Sequence, residues 1–329
     1  MQTKKLVATV KALFADDKGL LAMDESTTSC NKRFAKLGIP ETEEMRRQWR
    51  ELIITTPKLS DSISGVILYD ETIRQIKNHE GMILGIKVDL GLKAFEGHPN
   101  EKVTEGLDGL PERLKEYVAM GARFAKWRAA FEVGEGIPSQ DCIEENARRL
   151  AEYAFICQQA GVVPIVEPEV LMDGDHTMER CRQVTGQVLK TVFAELKAKG
   201  VAVEGMILKP NMVVPGLACK TQESVEEVAY ATVTLLMEMV PGDLGGIAFL
   251  SGGQSGQLAA ARLNAMHVTF RDKLPWPLTF SFSRAIQYPA LEIWSGKEEH
   301  TKAAQESLKR RADICQAATR GEYTPQMEK

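Results

Sequence analysis

VPIVEPE at Val163–Glu169 opens as a buried β-strand and closes on two carboxylates. Parallel strands covered on both faces read as continuous apolar runs. Charge at the end of such a run therefore marks where a strand leaves the core. The same change recurs in GLLAMD at Gly19–Asp24, ILGIKVD at Ile83–Asp89, RFAKWRA at Arg123–Ala129 and GMILKPN at Gly205–Asn211. Three further short apolar runs are SGVILY at Ser64–Tyr69, GIAFLS at Gly246–Ser251 and LTFSFS at Leu278–Ser283, which brings the strand candidates to eight.

Segments of helical period lie between these runs. One spans Ser139 to about Ala160, with Ser139 as N-cap, Gly161 as the residue past its end and an apolar stripe of Ile143, Ala147, Leu150, Ala154 and Cys157. A second begins at Asp175 and is stopped by Gly200, with Glu179 near its start and Lys197 and Lys199 near its end, as the helix dipole favours. Eight βα units fit either an open doubly wound sheet or a closed (β/α)8 barrel. The dinucleotide-binding form of the open sheet needs a glycine-rich turn after its first strand. Here that turn reads Asp24-Glu25-Ser26-Thr27-Thr28-Ser29. The expected fold is an α/β (β/α)8 TIM barrel of eight parallel strands with surrounding helices. It forms one domain over 1–329, closing in a loose polar tail at about 321–329.

Composition narrows the function. The chain has 329 residues, 26% of them charged, and a net charge of −4, which excludes a generally basic nucleic-acid binder. No apolar run is long enough to span a bilayer, and the start reads as an amphipathic helix rather than a signal peptide. The six cysteines, Cys30, Cys142, Cys157, Cys181, Cys219 and Cys315, form no C-x-x-C pair, as expected of reduced thiols in a cytoplasmic protein. The five histidines are scattered, so no metal site is expected.

Strand residues i and i+2 share a face, so Lys126 points with Arg128 and Glu167 with Glu169. In a barrel these ends form the C-terminal mouth, where active sites sit. The mouth so assembled sets Lys87, Lys126, Arg128, Lys209 and Arg284 against Asp24, Glu167 and Glu169, a net +2 suited to an anionic substrate. Ser251-Gly252-Gly253 follows the seventh strand, and Arg284 the eighth. This is the usual phosphate position of the architecture, and a guanidinium fork bonds two phosphate oxygens. Clustered lysines suggest Schiff-base chemistry, with Lys126 as the neighbouring cation that makes Lys209 a nucleophile and Glu167 as the proton carrier. Trp127 is expected to face away from the mouth, Trp49 and Trp294 to pack helices, and Glu43–Arg50 to form a solvated helix face.

At these residues the chain resembles class I fructose-bisphosphate aldolases, the metal-independent, Schiff-base type. Seven stretches carry the resemblance in family order: LAMDEST (Leu21–Thr27), GIKVD (Gly85–Asp89), AKWR (Ala125–Arg128), VEPEVL (Val166–Leu171), ILKPNMVVPG (Ile207–Gly216), FLSGGQS (Phe249–Ser255) and FSFSRAIQ (Phe280–Gln287). The resemblance implies that Lys209 forms the imine, that Glu167 is its general acid/base, and that Asp24 takes the C4 hydroxyl proton. It makes Lys126 the tuning amine and Arg128 and Glu169 members of the charge network. Ser251, Gly252, Gly253 and Arg284 then bind the C1 phosphate, and Ser26, Ser29 and Lys87 the C6 phosphate. It implies cleavage of fructose 1,6-bisphosphate in glycolysis or gluconeogenesis, with sedoheptulose 1,7-bisphosphate and fructose 1-phosphate as alternative substrates. No cofactor, nucleic acid or membrane is implied, and a homotetramer is. A non-catalytic binding barrel would have lost Asp24, Lys126, Glu167 or Lys209, and all four are present.

Three departures from the resembled pattern stand out. Ser283 and Thr28 occupy positions where the family commonly has glycine, and Ser283 would be costly if its backbone needed positive φ. Many members also continue past the segment matching Gly321–Pro325 into a tail with a terminal tyrosine that moves a proton at C3. Here Tyr323 is followed only by six residues to Lys329, and slower turnover or another proton relay is expected.

Overall fold

The computed structural model describes residues 2–76 and 78–329. Among the described residues ten strands are formed: β1 (Gly19–Met23), β2 (Ile63–Leu68), β3 (Ile83–Lys87), β4 (Gly91–Ala94), β5 (Lys102–Glu105), β6 (Phe124–Phe131), β7 (Val163–Val170), β8 (Ile207–Leu208), β9 (Ile247–Phe249) and β10 (Leu278–Phe282). Eight close into a parallel barrel in the order β1-β10-β9-β8-β7-β6-β3-β2, and β4 and β5 pair as a separate antiparallel hairpin. The barrel is the one the apolar runs predict. The hairpin was not anticipated, because Gly91–Ala94 has no alternating pattern and is largely exposed.

The helices are α1 (Gln2–Leu13), α2 (Thr27–Lys36), α3 (Glu43–Ile54), α4 (Asp70–Gln75), α5 (Leu110–Ala119), α6 (Gln140–Gln159), α7 (Met178–Lys199), α8 (Val225–Met239), α9 (Gly256–Phe270), α10 (Arg284–Trp294) and α11 (Thr301–Thr319). Ser139 caps α6 through the Cys142 N–H, as its sequence position predicts. Helix α7 starts three residues later than the sequence reading. Thr177 is its cap, while Gly174 and His176 offer their carbonyls to the 216–218 loop instead.

The barrel has two apolar layers. Inside lie Leu20, Ala22, Ile67, Phe124, Val163, Ile165, Ile207 and Ala248, closed below by Leu6, Val10 and Leu13 of α1. Outside, the alternate strand residues pack on the helices; Trp127 meets Tyr153 of α6 at 5.5 Å between ring centroids, on the helix side as expected. The inward faces continue upward in steps of two: Phe124 to Lys126 and Arg128, Ile165 to Glu167 and Glu169, Ile207 to Lys209, Ala22 to Asp24. One face of each strand thus carries oil at the bottom and charge at the top.

Two expectations are corrected. Glu43–Arg50 is not simply solvated. Trp49 stacks on Trp294 at 5.4 Å, and Arg46 and Arg50 are 6% and 2% exposed. Their guanidinium groups converge on Glu71, Arg46 in bidentate fashion. The segment after α11 is not loose either. Tyr323 N–H donates to Asn264 at 2.9 Å, Arg310 to the Met327 carbonyl at 2.9 Å, and Glu328 pairs with the buried Arg311. The polarity of this segment serves these partners as well as water.

All six cysteines are free, five of them buried. No described helix is long and apolar enough to cross a membrane.

Candidate active site

A cavity of about 420 Å³ opens at the C-terminal mouth of the barrel. Every site residue read from the sequence lines it: Asp24, Ser26, Ser29, Lys87, Lys126, Arg128, Glu167, Glu169, Lys209, Ser251, Gly252, Gly253 and Arg284. Strand ends position them. Asp24 directly follows β1, Lys87 ends β3, Lys126 and Arg128 lie in β6, Glu167 and Glu169 in β7, and Lys209 directly follows β8.

The floor is a chain of alternating charge. Lys126 Nζ lies 2.7 Å from Asp24 Oδ2 and 3.1 Å from Glu167 Oε2. Glu167 Oε1 lies 3.1 Å from Lys209 Nζ. Lys126, Glu167 and Lys209 are 4%, 4% and 3% exposed, so these charges interact with little water between them. Burial alone would raise the Asp24 carboxyl, but the Lys126 and Lys209 charges outweigh it and hold it at about 2. Glu167 is likewise pushed up by burial and brought below the ordinary carboxylate range by Lys126, Lys209 and Arg128. Burial works against the Lys126 ammonium, yet Asp24 and Glu167 lift it well above the usual lysine value. Lys126 therefore stays charged, and it bears on Lys209 across the shared Glu167 carboxylate. Arg128 pairs with Glu169 beside this chain.

Lys87 reaches up from β3 and is held by Asp89, with Nζ 3.1 Å from Oδ1. The other Asp89 oxygen accepts the Arg128 N–H at 3.3 Å. Across the mouth, the loop after β9 holds Gly252 and Gly253 at φ +56° and +88°, a region where glycine alone is unstrained. A Cβ on Gly253 would also stand 3.3 Å from Arg284 Nη2. The loop thus keeps its backbone bare beside an exposed guanidinium, which suits close approach of a phosphate.

Sequence reasoning missed Glu25, Arg33 and Asp89 as site residues, although all three line the cavity. The signal for Asp89 was present, since it ends the ILGIKVD run two residues after Lys87. Arg33 lies in the last turn of α2, where a basic residue is ordinary and carries no special mark. With these included, the cavity holds six cationic side chains against five carboxylates, a net +1 rather than the +2 of the sequence count. Ser283 has φ −112°, so it needs no glycine-like backbone, and its hydroxyl donates to Glu25 at 2.6 Å. Thr28 lies exposed in the first turn of α2, where any residue fits. Among the described residues, no group of three or more His, Cys, Asp or Glu side chains could hold a metal ion.

Comparisons with known proteins agree with this geometry. The family model described as fructose-bisphosphate aldolase class-I matches residues 5–329. A probable fructose-bisphosphate aldolase class 1 of Xanthomonas campestris pv. campestris is 53% identical over 90% of this chain and 91% of its own length. Fructose-bisphosphate aldolase B of Gallus gallus is 46% identical over 98% of this chain and 91% of its own. The solved structure of fructose-bisphosphate aldolase from Plasmodium falciparum, in complex with TRAP and a small-molecule inhibitor, superposes with a TM-score of 0.95. It is 43% identical and covers 98% of this chain and 96% of that one. By its barrel, its lysine–carboxylate floor and its match from end to end, the chain belongs to the class I fructose-bisphosphate aldolase family.

Proposed function

We propose that this cavity performs the family's reaction, reversible cleavage of fructose 1,6-bisphosphate to dihydroxyacetone phosphate and glyceraldehyde 3-phosphate, through an imine on Lys209. The observation that carries this reading is the Lys126–Glu167–Lys209 chain at 3.1 Å on both sides of the carboxylate. An imine requires a neutral amine beside a proton donor. Transfer of one proton from Lys209 to Glu167 makes both at once. The negative charge of an incoming bisphosphate raises the proton affinity of Glu167, so the carboxyl can hold that proton while the amine reacts.

Lys209 then attacks the C2 carbonyl carbon. Glu167 returns its proton to the carbinolamine hydroxyl, which leaves as water and yields the iminium. Asp24, kept anionic by Lys126, takes the proton of the C4 hydroxyl. The C3–C4 bond breaks, its electron pair moves into the iminium to give an enamine, and the aldehyde departs. The proton that Asp24 took from the C4 hydroxyl is passed on to C3, which restores the Asp24 carboxylate, and hydrolysis of the imine releases dihydroxyacetone phosphate and restores Lys209. Ser251, Gly252, Gly253 and Arg284 hold one phosphate, and Ser26, Ser29 and Lys87 the other. Arg128 and Glu169 fix the wall between them. The enzyme needs no cofactor, acts in the cytoplasm and assembles as a homotetramer, the last carried over from the resemblance. Exposed Tyr230, Met237 and Val268 provide apolar surface for such contacts.

A coupled assay of triose phosphate release tests the reading. The parent cleaves fructose 1,6-bisphosphate with a higher kcat/KM than fructose 1-phosphate or sedoheptulose 1,7-bisphosphate, and Lys209→Ala has no measurable turnover. Full activity in Lys209→Ala contradicts it.

A further inference from the structure

We infer that Ser283 sets the affinity of the phosphate pocket by clamping Glu25 onto Arg33. The inference rests on the reading that the cavity binds a phosphorylated sugar.

One oxygen, Glu25 Oε1, accepts three hydrogen bonds: from Arg33 Nη1 at 2.6 Å, from Ser283 Oγ at 2.6 Å and from Gln287 Nε2 at 3.2 Å. The Glu25 backbone is fixed as well, its carbonyl accepting from the buried Arg50 at 2.9 Å. Glu25, in the loop after β1, is thus held against Arg33 by Arg50 of α3, by Ser283 after β10 and by Gln287 of α10. Both residues line the cavity beside Ser26, Ser29 and Arg284. Arg284 is exposed and has no ion-pair partner among the described residues, so an incoming phosphate meets it freely. Arg33 is different. A phosphate that takes its Nη1 must displace an internal carboxylate.

Ser283 decides how hard that displacement is. The backbone at 283 lies outside the positive-φ region, so neither glycine nor serine is demanded by the turn. The Cβ and hydroxyl are therefore free to serve another purpose. The hydroxyl makes a short, charge-assisted bond to the very oxygen that holds Arg33. Hydrogen bonds to ionised acceptors are the stronger class. Without this one, Glu25 swings away more readily and Arg33 is available to the ligand. Ser283 is in this sense a positioning residue that acts through Glu25, and it sets the strength of phosphate binding without touching the reacting carbons.

The test is calorimetric titration with hexitol 1,6-bisphosphate, which carries both phosphates and no carbonyl. Ser283→Ala is expected to bind it roughly 3- to 10-fold more tightly than the parent, the weight of one charge-assisted hydrogen bond in a competition. Ser283→Thr, which keeps the hydroxyl, binds as the parent does. In an Arg33→Ala background the Ser283→Ala change has no effect, because the contested group is gone. A merely structural role for Ser283 would weaken binding and would not depend on Arg33. The clamp is overturned if Ser283→Ala binds no more tightly than the parent, or if the gain persists without Arg33. If the parent itself binds no hexitol bisphosphate, the functional reading falls, and the clamp with it.

Discussion

Lys209 and Glu167 face each other at 3.1 Å on the floor of the barrel mouth, and both are at least nine-tenths buried. A nucleophilic amine and its proton carrier thus form one unit, with Lys126 on the far side of the same carboxylate. Replacing Glu167 by Gln keeps the shape and removes the proton carrier. Steady-state kinetics should show kcat lowered by about 10²- to 10⁴-fold, the usual weight of a positioned acid/base. A loss confined to KM would contradict the assignment.

Asp24 couples the site to acid stability. Its carboxyl sits at about 2 against an ordinary 3.8. A group whose pKa is depressed on folding stabilises the native state above its unfolded pKa, and loses that contribution as pH falls through the folded value. The Asp24 contribution is on the order of 2 kcal/mol at neutral pH, and roughly half of it is gone by pH 3. Urea unfolding of the parent and of Asp24→Asn should therefore show a stability gap that narrows by about 1 kcal/mol from pH 6 to pH 3. A gap independent of pH would show that Asp24 is not held by its lysine neighbours.

Asp89 holds Lys87 with one oxygen and the β6 backbone with the other. Asp89→Asn should loosen Lys87 and raise KM for fructose 1,6-bisphosphate roughly 3- to 10-fold, the effect of one weakened ionic contact. Fructose 1-phosphate lacks the C6 phosphate assigned to Lys87, so its KM should move much less. Equal changes for both sugars would place Lys87 elsewhere.

Glu71 is the shared partner of Arg46 and Arg50, two guanidinium groups almost withdrawn from water. Removing one partner of a buried ion pair leaves uncompensated charge and costs about 3–5 kcal/mol. Glu71→Ala should lose about that much stability in urea. Because Arg50 also carries the Glu25 carbonyl, phosphate affinity should change with it.

The barrel was legible because each strand changes character along its length. Ile165 and Glu167 sit on one face of β7, and a run that begins apolar and ends acidic has few places in a fold where that is tolerable. The same logic placed Asp24, Lys126 and Lys209 in the mouth. Local pattern failed where partners come from afar. Arg46 and Arg50 resemble any charged helix surface until Glu71, on the next helix, is seen between them. Glu25 and Arg33 are ordinary residues of a loop and a helix until the segment after β10 delivers Ser283. The tail reads as solvent-exposed because its polar groups find Asn264, Arg310 and Arg311 only in three dimensions.

The most direct measurement is reductive trapping. The protein is incubated with dihydroxyacetone phosphate, treated with borohydride, digested and mapped by mass spectrometry. The account predicts a single reduced adduct on Lys209, absent without borohydride and absent in Lys209→Ala. An adduct on Lys126 instead, or none on the folded parent, would contradict it.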